Sequence, residues 1–369
     1  MKIVFYLGFL SGGGAEREVI AFANAMAKAG EEVHIVYSYD AEDTYAVDER
    51  VHLHKLQYST SATVFKTLFN IRDIARQIRA FHADTILPIY SFPTLYAGIR
   101  LAVLFSKTKV ICTVRNNLEK KFPDLIGKWS WRIESSLANG IWVQTQEQRK
   151  FFPKFLQKRI FEVHNILDGR FLDIPRAPRE KIRNFINVGR IHPQKNQKML
   201  VEAFAQMLLR TGDQDATLTI YGSVGEREHD LELELRALIS RYHLEDRVFL
   251  SGRVADIETK YAEADAFVFS SDYEGCPNAL MEAMAAGLPC ISTDCPTGPS
   301  VIIESGKNGL LVPVGHAEAM SQAMESLISN PQMANAMGMA AKQRMKEWEN
   351  VEELSGQFLK HLRGVCGKI

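Results

Sequence analysis

Short apolar runs alternate with amphipathic stretches along the whole chain. In the first half the strand-like runs are KIVFY, EVHIVYS, ADTIL, KVICTV and GIWVQT, and the stretch AEREVIAFANAMAKAG after the first of them has helical spacing. Strands that alternate with helices of about ten to fifteen residues predict βαβ units, and hence a parallel sheet covered by helices. The first half is therefore predicted to be a doubly wound α/β domain.

The alternation restarts after a break. The stretch ILDGRFLDIPRAPREK contains a glycine and two prolines and shows little periodicity, which predicts a linker. Beyond it come NFINVGR, TLTIYG, RVFLSGR, AFVFSS and LPCIST, with helical patterns between them. We predict two Rossmann-like domains at residues 1–167 and 183–348, a linker at 168–182, and a C-terminal helix at 349–369 that can cross back to the first domain.

Composition agrees with two ordinary domains. The chain has 369 residues, of which 46% are hydrophobic, and its net charge of zero divides into +6 for residues 1–180 and −6 for the remainder. The cysteines are Cys112, Cys276, Cys290, Cys295 and Cys366. They show no CxxC and no histidine at metal spacing, which argues for a reducing compartment and against a disulfide framework or zinc site. No run reaches the roughly 18 apolar residues of a membrane span.

The most informative segment is SSDYEGCPNALMEAMAAGLP, which follows a strand-like run. Glu274 is predicted to lie in the loop at the carboxyl end of that strand, where doubly wound sheets collect ligands. A helix should begin near Asn278, which places Glu282 one turn further on the same side. Helix-start amides suit phosphate oxygens, whereas carboxylates suit the hydroxyls of a sugar or ribose. A polar ligand with both kinds of group is predicted.

Cations for the phosphates follow the first strand of the second half. In NVGRIHPQKNQ, Arg190 comes after Gly189, and Lys195 opens the next helix. Arginine can bind phosphate bidentately and lysine acts as a point charge, so the two could neutralise a diphosphate without a metal. The alternative is that both are ordinary surface cations.

A glycine-rich turn follows the first strand. Consecutive glycines at positions 12, 13 and 14 would let backbone amides approach a phosphate closely. With Asp40 as a ribose ligand, the pattern is similar to a dinucleotide fingerprint, but Arg17 stands where a third glycine would permit close helix packing. A nicotinamide coenzyme is therefore disfavoured.

Three segments of the chain resemble the signatures of the family-4 retaining glycosyltransferases: GGGAER, VGR with KN, and EGCPNALMEAMAAGLP. The resemblance extends from the first strand to CPTGPSVIIESGKNGLLVP and is closest to bacterial enzymes that build lipid-linked oligosaccharides, lipopolysaccharide and other cell-surface polysaccharides. It implies the GT-B fold, in which two Rossmann-like domains face each other across a cleft. It also implies transfer of a sugar from a nucleotide donor, such as a UDP-hexose or UDP-HexNAc, to a glycan hydroxyl with an α linkage. Neither a cofactor nor a metal is implied. An Asp-x-Asp pair can indicate a metal site, but the pair here, Asp213 and Asp215, fits a surface turn.

The resemblance also assigns roles. Glu274 would contact the donor sugar, Arg190 and Lys195 would neutralise the diphosphate, and these three would be catalytic. Glu282 would bind the ribose, Arg253 and Val254 would border the nucleobase, and Thr297 with Gly298 would lie beside the diphosphate. The full donor-binding set is Gly13, Gly14, Arg253, Val254, Gly275, Cys276, Pro277, Asn278, Ala279, Glu282 and Thr297. The sugar or acceptor set is Arg17, Arg115 and Asn116.

One position departs from the family pattern. Many relatives have a histidine after the strand that here reads KVICTV, whereas this chain has Arg115. Arginine is permanently charged and cannot exchange protons near neutral pH, so its role would be electrostatic or positional. We hypothesise a contact between Arg115 and the donor sugar or diphosphate.

The basic first half suggests where the acceptor is found. Cations and aromatic residues are interleaved at Lys120, Lys121, Lys128, Trp129, Trp131 and Arg132, and again in RKFFPKFLQKRIF. Such a pattern suits an anionic membrane surface with a lipid-linked acceptor, although aromatic residues in the core with cations outside would give the same sequence. No motif for nucleic acid is present. We expect a peripheral enzyme on the cytoplasmic face of the membrane. The alternative is a catalytically idle sugar-nucleotide-binding or regulatory protein with the same fold.

Overall fold

The computed structural model describes residues 1–10, 13–40, 44–58, 66–89, 93–121, 125–225 and 228–367. The chain forms two compact units, one of Met1–Ile166 with Asn350–Ile369 and the other of Leu167–Glu349. Within these residues each unit is built on one parallel sheet, of seven strands in the first and six in the second. The prediction of two doubly wound α/β domains is confirmed.

The first unit has strand order β3-β2-β1-β4-β5-β6-β7. The strands are β1 (Lys2–Leu7), β2 (Glu32–Tyr37), β3 (His52–Lys55), β4 (Thr85–Pro88), β5 (Lys109–Thr113), β6 (Gly140–Val143) and β7 (Ile160–Glu162). The helices are α1 (Gly14–Lys28), α2 (Lys66–Ala80), α3 (Pro93–Val103), α4 (Leu118–Lys121) and α5 (Leu125–Leu137). The order reverses between β1 and β4, so the carboxyl end of β1 lies at the switch point of this sheet. Gly12 lies outside the described residues.

Both faces of β1 are buried, as its continuous apolar run predicts. Ile3 and Phe5 pack with residues of α1, whereas Val4 and Tyr6 pack with residues of α2 and α3. Side chains alternate across a strand, so this division places α1 on one face of the sheet and α2 and α3 on the other.

The second unit has strand order β10-β9-β8-β11-β12-β13. The strands are β8 (Asn184–Val188), β9 (Thr217–Tyr221), β10 (Val248–Gly252), β11 (Ala266–Phe269), β12 (Cys290–Thr293) and β13 (Leu310–Val312). The helices are α6 (Gln197–Thr211), α7 (His229–Arg241), α8 (Ile257–Glu263), α9 (Asn278–Ala285), α10 (Pro299–Ile302), α11 (Ala317–Ser329) and α12 (Pro331–Trp348). The switch point lies between β8 and β11, which pair directly.

Residues 168–182 differ from the predicted linker. Phe171 and Ile174 are buried in the core of the second unit, and Arg176 donates to the carbonyl oxygen of Ala264 at 2.6 Å. The apolar residues Phe171, Leu172 and Ile174 precede the prolines of this segment and are buried at irregular spacing, which is why it shows no helical or strand periodicity. It is therefore packed onto the second unit.

The last helix, α13 (Val351–Cys366), belongs to the first unit. The ring of Phe358 lies 5.0 Å from that of Phe22 and 4.2 Å from that of Trp142, measured between centroids. Leu354 and Leu362 extend the same buried stripe. The amphipathic pattern of this terminal segment is thus explained by burial against α1 and β6.

The two tryptophans of the basic segment 120–132 divide between the core and the surface according to the period of the helix. On α5, Trp131 is buried and packs edge-to-face with Phe152, whereas Trp129 is 63% exposed. Residues two apart on a helix point in nearly opposite directions, so a single stretch supplies both core and surface. Within the part of the chain that the structure describes, none of the helices is long and apolar enough to cross a membrane.

Candidate active site

The loops after β8 and β11 meet at the switch point of the second unit. The side-chain amide of Gln194 donates to the carbonyl oxygen of Tyr273 at 2.7 Å, and the backbone amide of Asp272 donates to the carbonyl oxygen of Gln194 at 2.8 Å. The hydroxyl of Ser270 donates to the carbonyl oxygen of Lys195 at 2.7 Å. These bonds hold together two segments that lie far apart in the sequence.

Lys195 and Glu274 form the centre of this arrangement. The Lys195 Nζ donates to Glu274 Oε1 at 2.6 Å, and the side chains are 21% and 10% exposed. Lys195 Nζ also lies 5.2 Å from the centroid of the Phe269 ring. Partial burial strengthens the attraction between the charges and fixes the ammonium group at the edge of the sheet. The site therefore presents a positioned cation beside a positioned carboxylate.

Backbone geometry supports the position of Lys195. A short 3-10 turn from Pro193 to Lys195 precedes α6, and Asn196 caps that helix in a left-handed conformation at φ 45°. The side chain of Asn196 accepts from the amide of Met199 and donates to the carboxylate of Asp272 at 2.8 Å. A non-glycine residue at positive φ is uncommon and is tolerated where surrounding contacts stabilise it.

Close approach of two strands explains Gly222. A Cβ on Gly222 would lie 2.0 Å from the carbonyl oxygen of Gly189, and a Cβ on Gly189 would lie 3.4 Å from Cε of Lys195. The first distance is too short for any side chain. Gly222 therefore lets the end of β9 lie against that of β8, beside the segment that leads to Lys195.

The loop after β12 completes the surroundings of Glu274. Thr297 is buried, adopts φ 70°, and donates its hydroxyl to the carbonyl oxygen of Glu274. A Cβ on Gly298 would lie 3.0 Å from Cδ of Pro277. A β-branched residue at positive φ is a true outlier, and such strain is concentrated at functional sites. The structure therefore brings Thr297, Gly298 and Pro277 together with Glu274, and a place for Thr297 and Gly298 beside a diphosphate stays a prediction.

Glu282 lies on α9, which begins at Asn278 as predicted. Its side chain is buried, and Oε2 accepts a hydrogen bond of 3.2 Å from the hydroxyl of Tyr261. The same hydroxyl lies 3.2 Å from the carbonyl oxygen of Ala279. The carboxylate is thus fixed in the first turns of the helix, and a buried tyrosine on α8 orients it.

The other predicted donor residues surround this centre at different depths. Gly275 and Pro277 are buried, whereas Cys276 and Ala279 are partly exposed. Arg190 is exposed shortly after β8, on the segment that leads to Lys195. Arg253 is exposed and Val254 partly exposed after β10, which is separated from β8 by β9. The predicted nucleobase pair therefore lies at the edge of the sheet, away from Glu274.

His192 belongs to this site and was missed by sequence reasoning. Its Nδ1 accepts from the amide of Gln194 at 3.1 Å, which caps the turn that carries Lys195. Burial lowers the pKa of His192, and the charge of Arg190 lowers it further. The neutral imidazole required by the cap is therefore favoured. Its position between Arg190 and Lys195 in the sequence was the available signal.

The predicted residues of the first unit lie near the start of α1 and after β5. Gly13 is the N-cap of α1, Gly14 is its first residue, and Arg17 is partly buried in its first turn. Asn116 accepts a hydrogen bond of 2.8 Å from the amide of Asn117. A helix start with glycines is compatible with binding of an anion.

Arg115 occupies a buried polar cluster. Its Nη1 donates to Glu18 Oε2 at 2.7 Å, and its guanidinium carbon lies 3.6 Å from the centroid of the Trp142 ring. The side chains of Arg115 and Glu18 are only 6% and 1% exposed. Burial raises the pKa of Glu18, and the positive charge of Arg115 opposes that rise. The structure thus gives Arg115 partners inside its own unit, and a contact with the donor stays a prediction.

Replacing Arg115 by Met should lower the free energy of unfolding by about 3–5 kcal/mol, because an uncompensated carboxylate would remain buried at Glu18. Urea unfolding of the whole chain measures this loss. The double variant Arg115→Met/Glu18→Gln should regain much of it, since no buried charge is left. Unchanged stability together with lost turnover would instead support direct contact between Arg115 and substrate.

Acidic and sulfur ligands do not cluster within the described ranges. No group of three or more His, Cys, Asp or Glu side chains there could hold a metal ion. The turn with the Asp-x-Asp pair is occupied by ion pairs, since Asp213 lies 3.5 Å from Arg183 and Asp215 pairs with the same guanidinium. Metal independence stays a prediction.

Comparison with known proteins finds glycosyltransferase families and glycosyltransferase relatives. A family model described as "Glycosyltransferase Family 4" matches residues 12–168, and one described as "Glycosyl transferases group 1" matches residues 173–344. The chain is 25% identical to an uncharacterized glycosyltransferase of Haemophilus influenzae, over 95% of this chain and 96% of that protein. It is 26% identical to the N-acetylgalactosamine-N,N'-diacetylbacillosaminyl-diphospho-undecaprenol 4-alpha-N-acetylgalactosaminyltransferase of Campylobacter jejuni, over 98% and 100% of the two chains.

Solved structures show the same fold. The crystal structure of Anabaena HepE in complex with UDP and glucose aligns with a TM-score of 0.80 and 19% identity, over 99% of this chain and 100% of that one. At this identity the likeness establishes the fold and leaves the ligand of this chain to other arguments.

Proposed function

The chain belongs to glycosyltransferase family 4 and has the GT-B fold, and from this premise we propose that it transfers a sugar, with retention, from a UDP-sugar to a glycan hydroxyl. The observation that carries the proposal is the pair of Lys195 and Glu274, held 2.6 Å apart at the carboxyl ends of two adjacent strands. A sugar diphosphate needs a cation for its phosphates and an acceptor for its hydroxyls. This pair offers both within one hydrogen-bond length.

Leaving-group stabilisation is the chemistry we propose for this site. As the glycosidic bond of the donor breaks, negative charge develops on the diphosphate, and fixed cations and amide dipoles lower the energy of that state. Lys195 is anchored by Glu274, and Arg190 follows the same strand with an exposed side chain. The start of α9 at Asn278 supplies a further positive dipole end. The resulting product would carry an α linkage.

In this proposal two carboxylates accept hydrogen bonds from different hydroxyl groups of the donor. Glu274 would accept hydrogen bonds from the donor sugar, because it lies beside the phosphate-binding lysine. Glu282 would accept from the ribose, because it is fixed by Tyr261 on the first turns of α9. A UDP-hexose or UDP-HexNAc is proposed because Anabaena HepE binds UDP and glucose and the Campylobacter relative transfers N-acetylgalactosamine.

Chelation of metals should leave the transfer rate unchanged. The charges proposed to meet the diphosphate are those of Arg190 and Lys195, which do not depend on a divalent ion. The assay is UDP release before and after dialysis against EDTA. A loss that added Mg²⁺ or Mn²⁺ restores would contradict metal independence.

A lipid-linked acceptor at the inner face of the cytoplasmic membrane is part of the proposal. The Campylobacter relative is named for a diphospho-undecaprenol acceptor. In this chain the basic helix α5 exposes Trp129 and Arg132, whereas Trp131 lies in the core. Exposed cations beside an exposed indole suit the headgroup region of an anionic bilayer.

A donor panel tests the proposed activity. UDP- and GDP-sugars are supplied with and without a polyprenyl-diphosphate-linked saccharide, and nucleotide release is measured. We expect release from a UDP-sugar that increases when the acceptor is present. Binding of nucleotide without release across the panel would favour a catalytically idle protein of the same fold.

A further inference from the structure

The outer surface of α2 carries a row of arginines. Arg72, Arg76 and Arg79 follow one another at intervals of four and three residues and are all exposed, whereas Ile74 and Ile78 on the opposite side are buried. Residues at this spacing lie on one side of a helix. The carboxylate of Asp73 is buried beneath the row and lies 3.6 Å from Arg76, so it compensates one of the three charges in part.

These arginines form one wall of a surface pocket of about 510 Å³. Leu101, near the end of α3, forms part of the other wall. Arg79 joins the helices by donating to the carbonyl oxygens of Leu101 at 2.9 Å and Ala102 at 3.3 Å. The helices can approach because of Gly98, where a Cβ would lie 2.6 Å from Cγ2 of Ile74. A concave cationic site is thus built between two packed helices.

Large apolar side chains project beside this pocket. Leu101 is 41% exposed, and in the turn after α3 Leu104 and Phe105 are 60% and 95% exposed. At the other end of the row Leu68 is 67% exposed. Water contact with such side chains is unfavourable relative to burial. Their grouping around a cationic pocket indicates a surface that an amphipathic partner covers.

The third helix on this side, α5, extends the surface. Arg100 on α3 donates to the carbonyl oxygen of Leu137 at 3.1 Å, which fixes the end of α5 beside α3. Trp129, Ile133 and Leu137 recur at every fourth residue and are 63%, 52% and 47% exposed. We call the exposed side chains of these helices the α2–α3–α5 face; it comprises Leu68, Arg72, Arg76, Arg79, Leu101, Leu104, Phe105, Trp129, Arg132, Ile133 and Leu137.

We propose that the α2–α3–α5 face binds an anionic phospholipid bilayer, with lipid phosphates in the arginine pocket and Leu104 and Phe105 inserted below the headgroups. This rests on the proposed function, since it assigns a surface to an enzyme with a lipid-linked acceptor. Charge complementarity supports an anionic partner. The protruding aliphatic and aromatic side chains favour a bilayer, because nucleic acid would leave them in water.

Sedimentation with vesicles of equal parts phosphatidylglycerol and phosphatidylcholine tests the proposal on the full chain. Each cation near an anionic leaflet contributes about fivefold to partitioning, so R72A/R76A should lower the partition coefficient by about 30-fold. The variant L104S/F105S should lower it by at least about tenfold and should do so at high salt, where charge is screened. R241A/K346A, which removes two exposed cations of the second unit, should bind like the unaltered chain.

Equal loss of binding in R72A/R76A and in R241A/K346A would overturn the proposal, because it would reflect net charge alone. Failure of the unaltered chain to sediment with these vesicles would overturn it as well. UDP release with a water-soluble acceptor is measured on the same preparations. Normal UDP release without vesicle binding would reject membrane binding by the α2–α3–α5 face but not the proposed transferase activity. Vesicle binding without UDP release would reject the transferase activity.

Discussion

Replacing Glu274 by Gln is expected to lower kcat for sugar transfer by about 100 to 1000-fold, the loss typical of removing one oriented group that acts on the transition state. The substitution preserves size but removes the charge that holds Lys195 at 2.6 Å. The ammonium would then lose its fixed position, and the donor sugar would lose a strong acceptor. KM for the donor should change much less, because the remaining phosphate contacts persist.

Two matched variants separate this effect from a general loss of charge. Glu282→Gln alters a carboxylate that Tyr261 orients, and we expect it to raise KM for the donor more than it lowers kcat. Glu304→Gln alters an exposed partner of Lys307 and should leave both constants unchanged. A Glu274→Gln enzyme whose kcat equals that of Glu304→Gln would remove Glu274 from the mechanism.

Replacing Lys195 by Met is expected to raise the Kd for UDP by about 100-fold. One charge-assisted contact with the diphosphate is lost. In addition, the carboxylate of Glu274, whose side chain is only 10% exposed, is left without its cation and repels the phosphates. Isothermal titration of UDP to the full chain measures the change.

A double-mutant cycle tests whether the ion pair acts as a unit. Lys195→Met/Glu274→Gln should bind UDP more tightly than Lys195→Met alone, because the repelling carboxylate has been neutralised. Arg190→Ala/Glu274→Gln serves as the comparison, since Glu274 pairs with Lys195 and not with Arg190. Its effects on binding should be close to additive. Additivity in both cycles would contradict the coupling that the structure shows.

The sequence predicted those features that depend on local pattern. Continuous apolar runs predicted the buried strands β1 and β11, and the start of α9 was predicted near Asn278, the residue at which the helix begins. The position of Glu274 follows from these elements, because a loop after a central parallel strand must emerge at the carboxyl edge of the sheet.

Contacts between distant residues could not be predicted in the same way. Lys195 and Glu274 are 79 residues apart, and Arg115 and Glu18 are 97 apart. Their pairing depends on strand order, which a single sequence does not specify. The different exposures of Trp129 and Trp131, by contrast, depend on local sequence only. Once α5 is predicted as a helix, its period places one residue at the surface and the other in the core.

Transfer of labelled sugar from a UDP-sugar to a polyprenyl-diphosphate-linked saccharide, by the unaltered chain and by Glu274→Gln, is the decisive measurement of the proposed activity. We expect one labelled product for each UDP released, an α configuration in the NMR spectrum of that product, and at least about 100-fold slower transfer by the variant. UDP-sugar binding by the unaltered chain with no label in any acceptor, or equal transfer by the two proteins, would contradict the proposal.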